Sequence, residues 1–400
     1  MGPHPAVSQL RSAVRRCLAD LEPGELVLAA CSGGADSLAL AAALAFVASR
    51  QGLRAGGVTV DHRLQAGSAR QAARVAAQLT GLGLEPVRVA EVTVGGRGGP
   101  EAAARSARYR ALDEYSQATG AAAVLLGHTL DDQAETVLLG LARGSGSRSL
   151  AGMPERAGIY RRPFLGIGRD RTRAACAALG LQVWEDPHNT DSGYARARVR
   201  HHVMPALEAA LGPGIAEALA RTAAQLRADA DALDDLARQQ MRGVAGSDPA
   251  MSVDALGALP AAVRTRVLRA AAITAGCRPG SLNARHIARL DELVTGWHGQ
   301  RWVDLPGGVR GLRQCGKLRF ITGGRIPDPP SGPQDVSGTE DMSGTEDVSG
   351  TQDGTGTQDG TGTHDRKGAD GRERHGSRPE GDPDQPGAVA GAHRRPRGAD

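Results

Sequence analysis

Residues 32 to 37 read Ser-Gly-Gly-Ala-Asp-Ser and lie between the apolar run Leu26-Val27-Leu28-Ala29-Ala30 and an Ala/Leu stretch from Leu38 to Ala45. This placement predicts a phosphate-binding loop between a strand and a helix. Gly33 and Gly34 let the backbone turn sharply and bring bare N–H groups against an anion, and the helix aims its positive end at the same point. Ser32 and Ser37 add hydroxyl donors, and Ala35 completes the loop. Asp36 is the odd member, because a carboxylate beside phosphate is repulsive unless a divalent cation lies between them. The loop therefore implies a magnesium nucleotide, with Ser32, Gly33, Gly34, Ala35, Asp36 and Ser37 around it and Asp36 as the metal contact. A glycine turn with serine caps is the plainer alternative; the coincidence of strand, loop and helix favours the nucleotide. No Gly-Lys-Ser/Thr follows and the only lysines are Lys317 and Lys367, so transfer of a terminal phosphoryl group is not the expected chemistry.

A second chemical segment, Gly127-His128-Thr129-Leu130-Asp131-Asp132-Gln133-Ala134-Glu135-Thr136, follows another apolar run and enters a helix. Its spacing puts His128, Asp132 and Glu135 on one helix face. An acidic pair facing a nucleotide pocket suits an ammonium or alkyl-amine group, and the imidazole suits proton handling or a phosphate contact. A purely local role is equally open: Asp131 or Asp132 as N-cap, with Glu135 completing the capping arrangement. Arg196, Arg198, Arg200 and His201 cluster further on, as an anion-binding group or as a solvated helix face. Gly144-Ser145-Gly146 after Arg143 is a second flexible loop able to touch an anion, or a bare connection.

These segments need a scaffold. Val27 to Ala30, Ala55 to Val60, Glu85 to Val92 and Ala122 to Leu126 read as buried strands, separated by helices around 37–51, 68–81 and 101–120. The alternation predicts an α/β fold, a parallel sheet with helices on both faces and ligands at the carboxyl ends of its strands. The expected organisation is an α/β nucleotide-binding domain over 1–205, a strand-free helical region over 206–282, a small α+β module over 283–322 and a disordered tail over 323–400. A long helix is expected from Ile215 to Met241, with Leu219, Ala223, Leu226, Ala230, Leu233 and Leu236 on its apolar face. In the small module, a helix at Ala284 to Thr295 precedes strands at Trp302–Leu305, Val309–Leu312 and Leu318–Ile321. The tail holds five tandem six-residue units, from Val-Ser-Gly-Thr-Glu-Asp at 336 to Gly-Thr-Gly-Thr-His-Asp ending at 365, too poor in apolar residues to fold.

Composition narrows the partners. Residues 1 to 322 carry 39 Lys/Arg against 29 Asp/Glu, whereas the tail carries nine against fifteen. A basic body suits a polyanion. The five cysteines, Cys17, Cys31, Cys176, Cys277 and Cys315, form no C-x-x-C pair, which argues against an iron–sulfur cluster, zinc or a disulfide framework. Cys31 is expected to close a buried strand. No signal peptide or membrane span is legible, so a cytoplasmic location without membrane contact is expected. A homodimer is left open.

The hexapeptide resembles the PP-loop of the N-type ATP pyrophosphatases, which cleave ATP between the α and β phosphates and pass AMP to a substrate oxygen. Other motifs narrow the resemblance: Asp61-His62-Arg63-Leu64, Glu101 to Arg105 with Arg108-Tyr109, the 127–136 segment, Arg143-Gly144-Ser145-Gly146, and Asp186-Pro187 with Asn189 and Asp191 ahead of Arg196 to His201. Together they are similar to the tRNA(Ile)-lysidine synthetases, apart from His188 for Ser/Thr and Ala197 for asparagine. The resemblance implies a ligase using ATP and magnesium, acting on an isoleucine tRNA with a CAU anticodon and on free L-lysine. It further implies an adenylated cytidine intermediate. It places catalytic roles on Asp36, His128, Asp132 and Arg196, lysine recognition on Asp132 and Glu135, and tRNA contacts on Arg198 and Arg200. The small module then resembles a substrate-binding domain. A PP-loop tRNA thiolase is the enzyme alternative, which would typically need the missing cysteine pair or an iron–sulfur cluster. A nucleotide- or RNA-binding protein without turnover is the alternative from another class.

Overall fold

The computed structural model describes residues 2–63, 67–93, 95, 100–144, 146–186, 193–244 and 250–323. Leu64, Ser145, Pro187, His188, Asn189, Asp191 and the whole repeat-bearing tail lie outside the described residues. The chain opens with helix α1 (Pro5–Cys17) and then alternates: β1 (Leu26–Ala30), α2 (Ala35–Gln51), β2 (Arg54–Asp61), α3 (Ser68–Gly81), β3 (Val87–Glu91), α4 (Pro100–Thr119), β4 (Ala123–Leu126) and α5 (Leu130–Ala142). The expected βα alternation is thus present. A short helix α6 (Ser147–Leu150), a two-residue hairpin of β5 (Arg156–Ala157) and β6 (Tyr160–Arg161), and helix α7 (Arg169–Ala178) complete this part.

Six strands form one sheet in the order β3-β2-β1-β4-β6-β5, parallel except at β5. Both faces of β1 are buried, as a central parallel strand requires. Its alternation divides the core: Val27 and Ala29 join α1, α2, α3 and α7 on one face, and Leu26 and Leu28 join Leu112 of α4 and Val124 and Leu126 of β4 on the other. Residues 38–45 of helix α2 are all alanine or leucine, and those side chains let it lie against the sheet while α1 and α7 cover it. Leu38, Leu40 and Leu44 are fully buried there, each contributing about 1.5–3 kcal/mol of transfer free energy. This is how a chain with 2% aromatic residues builds an interior.

After α8 (Ala195–Arg198) and a π-helical turn at Val199–Val203 come α9 (Met204–Leu211) and the long α10 (Ile215–Val244). Of the apolar stripe expected on α10, Ala223 and Ala230 are buried together with Ala237, but Leu236 is exposed. The helix thus seats on its alanines, which permit close approach. Arg227 Nη2 donates to the carbonyls of Ala151 and Gly152 at 2.7 Å each, and Asp234 lies 3.6 Å from Arg148 and 2.9 Å from Arg266. Those contacts join α10 to segments on either side of it in sequence.

The small C-terminal part contains β7 (Met251–Ser252), α11 (Val253–Gly257), α12 (Ala261–Thr274), α13 (Ala284–Thr295), β8 (Trp302–Leu305), β9 (Val309–Gln314) and β10 (Lys317–Thr322). The four strands form a sheet in the order β7-β10-β9-β8, antiparallel throughout. The expectation of a strand-free 206–282 fails at β7, whose two residues pair with Lys317 and Leu318. Two residues are too few for any periodicity, so the partner strand rather than local sequence defines it. One apolar core runs through Leu256, Val267, Leu268, Leu290, Val303, Val309 and Leu318.

Candidate active site

Strand order reverses between β1 and β4: the chain leaves β1 toward β2 and β3 on one side, while β6 and β5 lie on the other. Such a switch point leaves a crevice at the carboxyl ends of the strands. A cavity of about 1090 Å³ opens there. Both chemical segments border it, because residues 31–34 follow β1 and residues 127–129 follow β4.

The first wall is the loop at 32–37. Gly33 adopts a φ of +89°, and a Cβ there would come within 2.7 Å of Val75 Cγ2. Only glycine meets both conditions. Its carbonyl accepts from the Trp184 N–H at 2.9 Å. The Ser37 hydroxyl donates to the Gly34 carbonyl at 2.9 Å and accepts from the Ser32 N–H at 3.1 Å, so it ties the loop internally. The expected hydroxyl donor to a ligand is therefore Ser32, which is exposed to the cavity. Gly34 caps α2 without a side chain, leaving the first N–H groups of the helix for an anion. Gly127 abuts this turn: a Cβ there would lie 3.0 Å from the Asp36 carbonyl carbon and oxygen.

The second wall is a network of carboxylates and guanidinium groups. Asp36 accepts from the Thr172 hydroxyl and lies 3.4 Å from Arg169 Nε. Burial pushes its carboxyl above the usual range, against the pull of Thr172 and Arg169. Asp132 accepts from the Thr129 N–H at 2.8 Å and its hydroxyl at 3.1 Å, and from Arg169 Nη2 at 3.2 Å. The helix cap is therefore Thr129, with Asp132 as its reciprocal partner, in place of the Asp131 or Asp132 cap considered from sequence. Burial raises the Asp132 carboxyl, but Arg169, the Thr129 N–H, His128 and Arg196 together hold it below its ordinary value. Glu135, 1% exposed, meets three cations: Arg200 Nε at 2.8 Å, Arg196 Nε at 3.2 Å and Arg169 Nη2 at 3.4 Å.

The structure thus brings Asp36, His128, Asp132, Glu135, Arg196 and Arg200 to one place. Arg198 is outside it, exposed and donating to the Gly193 carbonyl at 3.0 Å. Arg169 and Thr172 are additions that sequence reasoning missed. A faint signal exists in Gly168-Arg169: a cation in the first turn of a helix opposes the helix dipole and calls for carboxylates nearby.

Several buried polar atoms on the cavity wall have no protein partner: Asp61 Oδ2, His62 Nδ1, Arg108 Nε and His128 Nδ1. Native interiors pair such atoms, so this grouping marks where a ligand completes the hydrogen bonding. Burial drives His128 down to about 3, reinforced by Arg108, Arg162 and Arg196 against the opposing pull of Asp132. It is neutral at neutral pH. In a histidine-edited NMR titration, its ring nitrogens should keep the neutral pattern down to about pH 5; protonation near 6.5 would contradict the burial. The sign follows: the unfolded chain takes up this proton near 6.5 and the folded chain near 3, so the site's contribution to stability is complete above 6.5 and is lost as pH falls between the two values.

Among the described residues no three His, Cys, Asp or Glu side chains gather as a protein cage for a metal. Asp36 and Asp132, both reaching Arg169, suit instead a cation held chiefly by phosphate oxygens, the usual habit of magnesium. Cys31 and Cys176 line the cavity as free thiols, and burial raises both, Cys176 to about 12 with Asp36 adding. Neither is a thiolate. Among the described residues, no single helix is long and apolar enough to cross a membrane.

This fold and loop define a PP-loop protein: residues 7–207 match the PP-loop domain family, and residues 251–316 match the TilS substrate binding domain. The tRNA(Ile)-lysidine synthase of Thermobifida fusca is 60% identical over 79% of this chain and 98% of its own length. Those of Streptomyces coelicolor and Mycobacterium tuberculosis are 56% and 48% identical, over 81% and 77% of this chain and 100% and 93% of theirs. The chain belongs to the tRNA(Ile)-lysidine synthase family, ligases built on an ATP-using PP-loop domain.

Proposed function

We propose that this chain forms lysidine: it joins lysine to carbon-2 of the wobble cytidine in the CAU anticodon of isoleucine tRNA, using ATP and acting in the cytoplasm. In the first step the cytidine carbon-2 oxygen attacks the α-phosphorus of ATP and pyrophosphate leaves. In the second the lysine ε-amine nitrogen attacks carbon-2, and AMP departs with the original oxygen while the nitrogen gives up a proton. What carries the reading is the anion cradle at 32–37 facing the buried Asp132 across one cavity, with Glu135 behind the arginines that line it, in a chain 60% identical to a lysidine synthase.

The residues take roles by their chemistry. The loop N–H groups and Ser32 hold the departing pyrophosphate. Asp36, with Asp132 beside it, would hold magnesium, which offsets phosphate charge when bound. Arg169, Arg196 and Arg200 are saturated by Asp132 and Glu135, and incoming phosphates compete for them. Guanidinium groups drawn onto phosphate free the carboxylates for the lysine ammonium, so nucleotide precedes lysine. Neutral His128 suits accepting a hydrogen bond better than carrying charge. Arg198, on the outside, suits the RNA backbone. The anticodon loop, splayed so that its base enters the cavity, meets a body rich in arginine.

The test is incorporation of labelled lysine into an unmodified CAU-bearing isoleucine tRNA transcript with ATP and magnesium, followed by nucleoside mass spectrometry. A lysine-bearing cytidine that requires ATP is expected. Pyrophosphate release without lysine incorporation would point to another adenylating enzyme, and neither signal would leave a binding protein.

A further inference from the structure

We propose that a second cavity, between α1 and α2, is a phosphate-binding site separate from the nucleotide pocket. Its volume is about 220 Å³, and its wall includes Ser8, Arg11, Arg15, Phe46, Arg50 and Gln51. Ser8, Arg11, Ser12 and Arg15 recur at three- and four-residue spacing, so they form one face of α1, a helix without Asp or Glu. The guanidinium carbons of Arg11 and Arg50 lie 3.4 and 4.2 Å from the Phe46 ring centroid. The ring is a platform that fixes both planar groups while leaving N–H edges for a ligand.

Charge is the second argument. Elsewhere in this chain clustered arginines receive carboxylates: Arg156 and Arg161 share Asp20, and Arg169, Arg196 and Arg200 share Glu135. No described carboxylate pairs with Arg11, Arg15 or Arg50. Arg11 bears the cost, since burial and the charge of Arg50 both lower its proton affinity. Gln51 Oε1 is buried on the same wall without a partner, and half a turn of the amide presents its NH₂ instead. The polar groups of the wall, set beside the apolar Pro3, Phe46 and Val47, can therefore all donate to an anion. Bidentate guanidinium geometry matches phosphate oxygens.

The site cannot be served by the triphosphate in the 32–37 loop. Asp36 and Arg50 are fourteen residues apart on α2, a rise of about 21 Å. The occupant is a different phosphate, either a backbone phosphodiester of bound tRNA or a free phosphate group. The first source rests on the function proposed above; the second does not.

The experiment compares wild type, R11Q/R50Q and R16Q, the last being one residue beyond Arg15 on the same helix and outside the cavity. Binding of the tRNA transcript is measured between about 50 and 200 mM salt. Thermal midpoints are measured with inorganic phosphate at constant ionic strength. If tRNA occupies the site, R11Q/R50Q weakens binding and reduces the log–log salt slope by about 0.7–0.9 for each phosphate it no longer neutralises, while R16Q does not. If free phosphate occupies it, the slope holds and phosphate raises the midpoint of wild type and R16Q more than that of R11Q/R50Q, in which only the 32–37 loop is left to bind the ion. No difference between R11Q/R50Q and R16Q in either measurement overturns the site. R50Q alone, at an exposed position, carries the comparison should the double variant fail to fold. A wild type that makes no lysidine yet shows the phosphate-dependent midpoint refutes the proposed reaction and keeps the site.

Discussion

Asp36→Asn should lower kcat by about 10²–10³ without weakening the fold, the scale of removing one preorganised electrostatic group from a water-poor site. Asparagine has the same shape and its carbonyl can still accept from the Thr172 hydroxyl, so the first turn of α2 keeps its tie to α7. What it loses is the charge that the cation contact needs. The stability sign is opposite to the activity sign. Burial raises the Asp36 carboxyl, so the folded chain holds this proton more tightly than the unfolded chain. The resulting stabilisation is complete below the ordinary carboxylate range and is lost as pH rises through the folded value. At neutral pH the wild type therefore bears a destabilised carboxylate that the variant lacks. Arg169 keeps Asp132 at 3.2 Å and Glu135 at 3.4 Å, so no cation is orphaned by the change. Turnover and thermal midpoint should separate, with tRNA-dependent pyrophosphate release collapsing while the midpoint at pH 7 holds or rises. A variant with turnover within threefold of wild type would remove Asp36 from the chemistry.

That separation could be argued only in part from sequence, and the reason is physical. The loop at 32–37 was legible because its function is local: two glycines, two hydroxyls and a helix start occupy six consecutive residues. β1, β2 and β4 were legible because buried parallel strands are continuous apolar runs bounded by glycine or helix. Asp132 and Glu135 were legible as a pair on one face, since helical spacing is a local property. Their cations were not. Arg169 reaches Glu135 across 34 residues and Arg200 across 65, and no spacing rule links them. α7 was hidden as well, because Arg-Asp-Arg-Thr-Arg lacks the apolar period that announces a helix, and it is held by Thr172 and Cys176 reaching Asp36 and the Ala35 carbonyl. Long-range pairing likewise hid β7, and the expected stripe on α10 fails only at Leu236, while Ala223, Ala230 and Ala237 are buried and Leu233 packs on the C-terminal core.

Glu135→Ala should be the most damaging single change to the fold of this domain. The side chain is 2% exposed and three guanidinium groups converge on its carboxylate. Removing one partner of a buried ion network costs about 3–5 kcal/mol, because the remaining charges stay desolvated without compensation. At roughly 2–4 °C per kcal/mol for chains of a few hundred residues, the midpoint should fall by about 6–20 °C. The number of arginines is not what decides this. Asp20 also meets two, Arg156 at 2.9 Å and Arg161 at 2.6 Å, yet Asp20 and Arg156 are about half exposed, and the deeper Arg161 keeps the Cys17 carbonyl as a partner when the carboxylate goes. Asp20→Ala should therefore cost no more than about 1 kcal/mol. Depth separates the two sites, and melting curves of both variants measure the difference directly. If Glu135→Ala and Asp20→Ala melt together, water already reaches the Glu135 network and the cavity is not the low-dielectric site that its chemistry requires. If they differ as expected, E135Q/R200Q should recover part of the midpoint by removing one negative and one positive charge together, while lysine incorporation stays lost. Restored folding without restored incorporation would assign the Glu135–Arg200 pair a part in the reaction beyond holding the fold together.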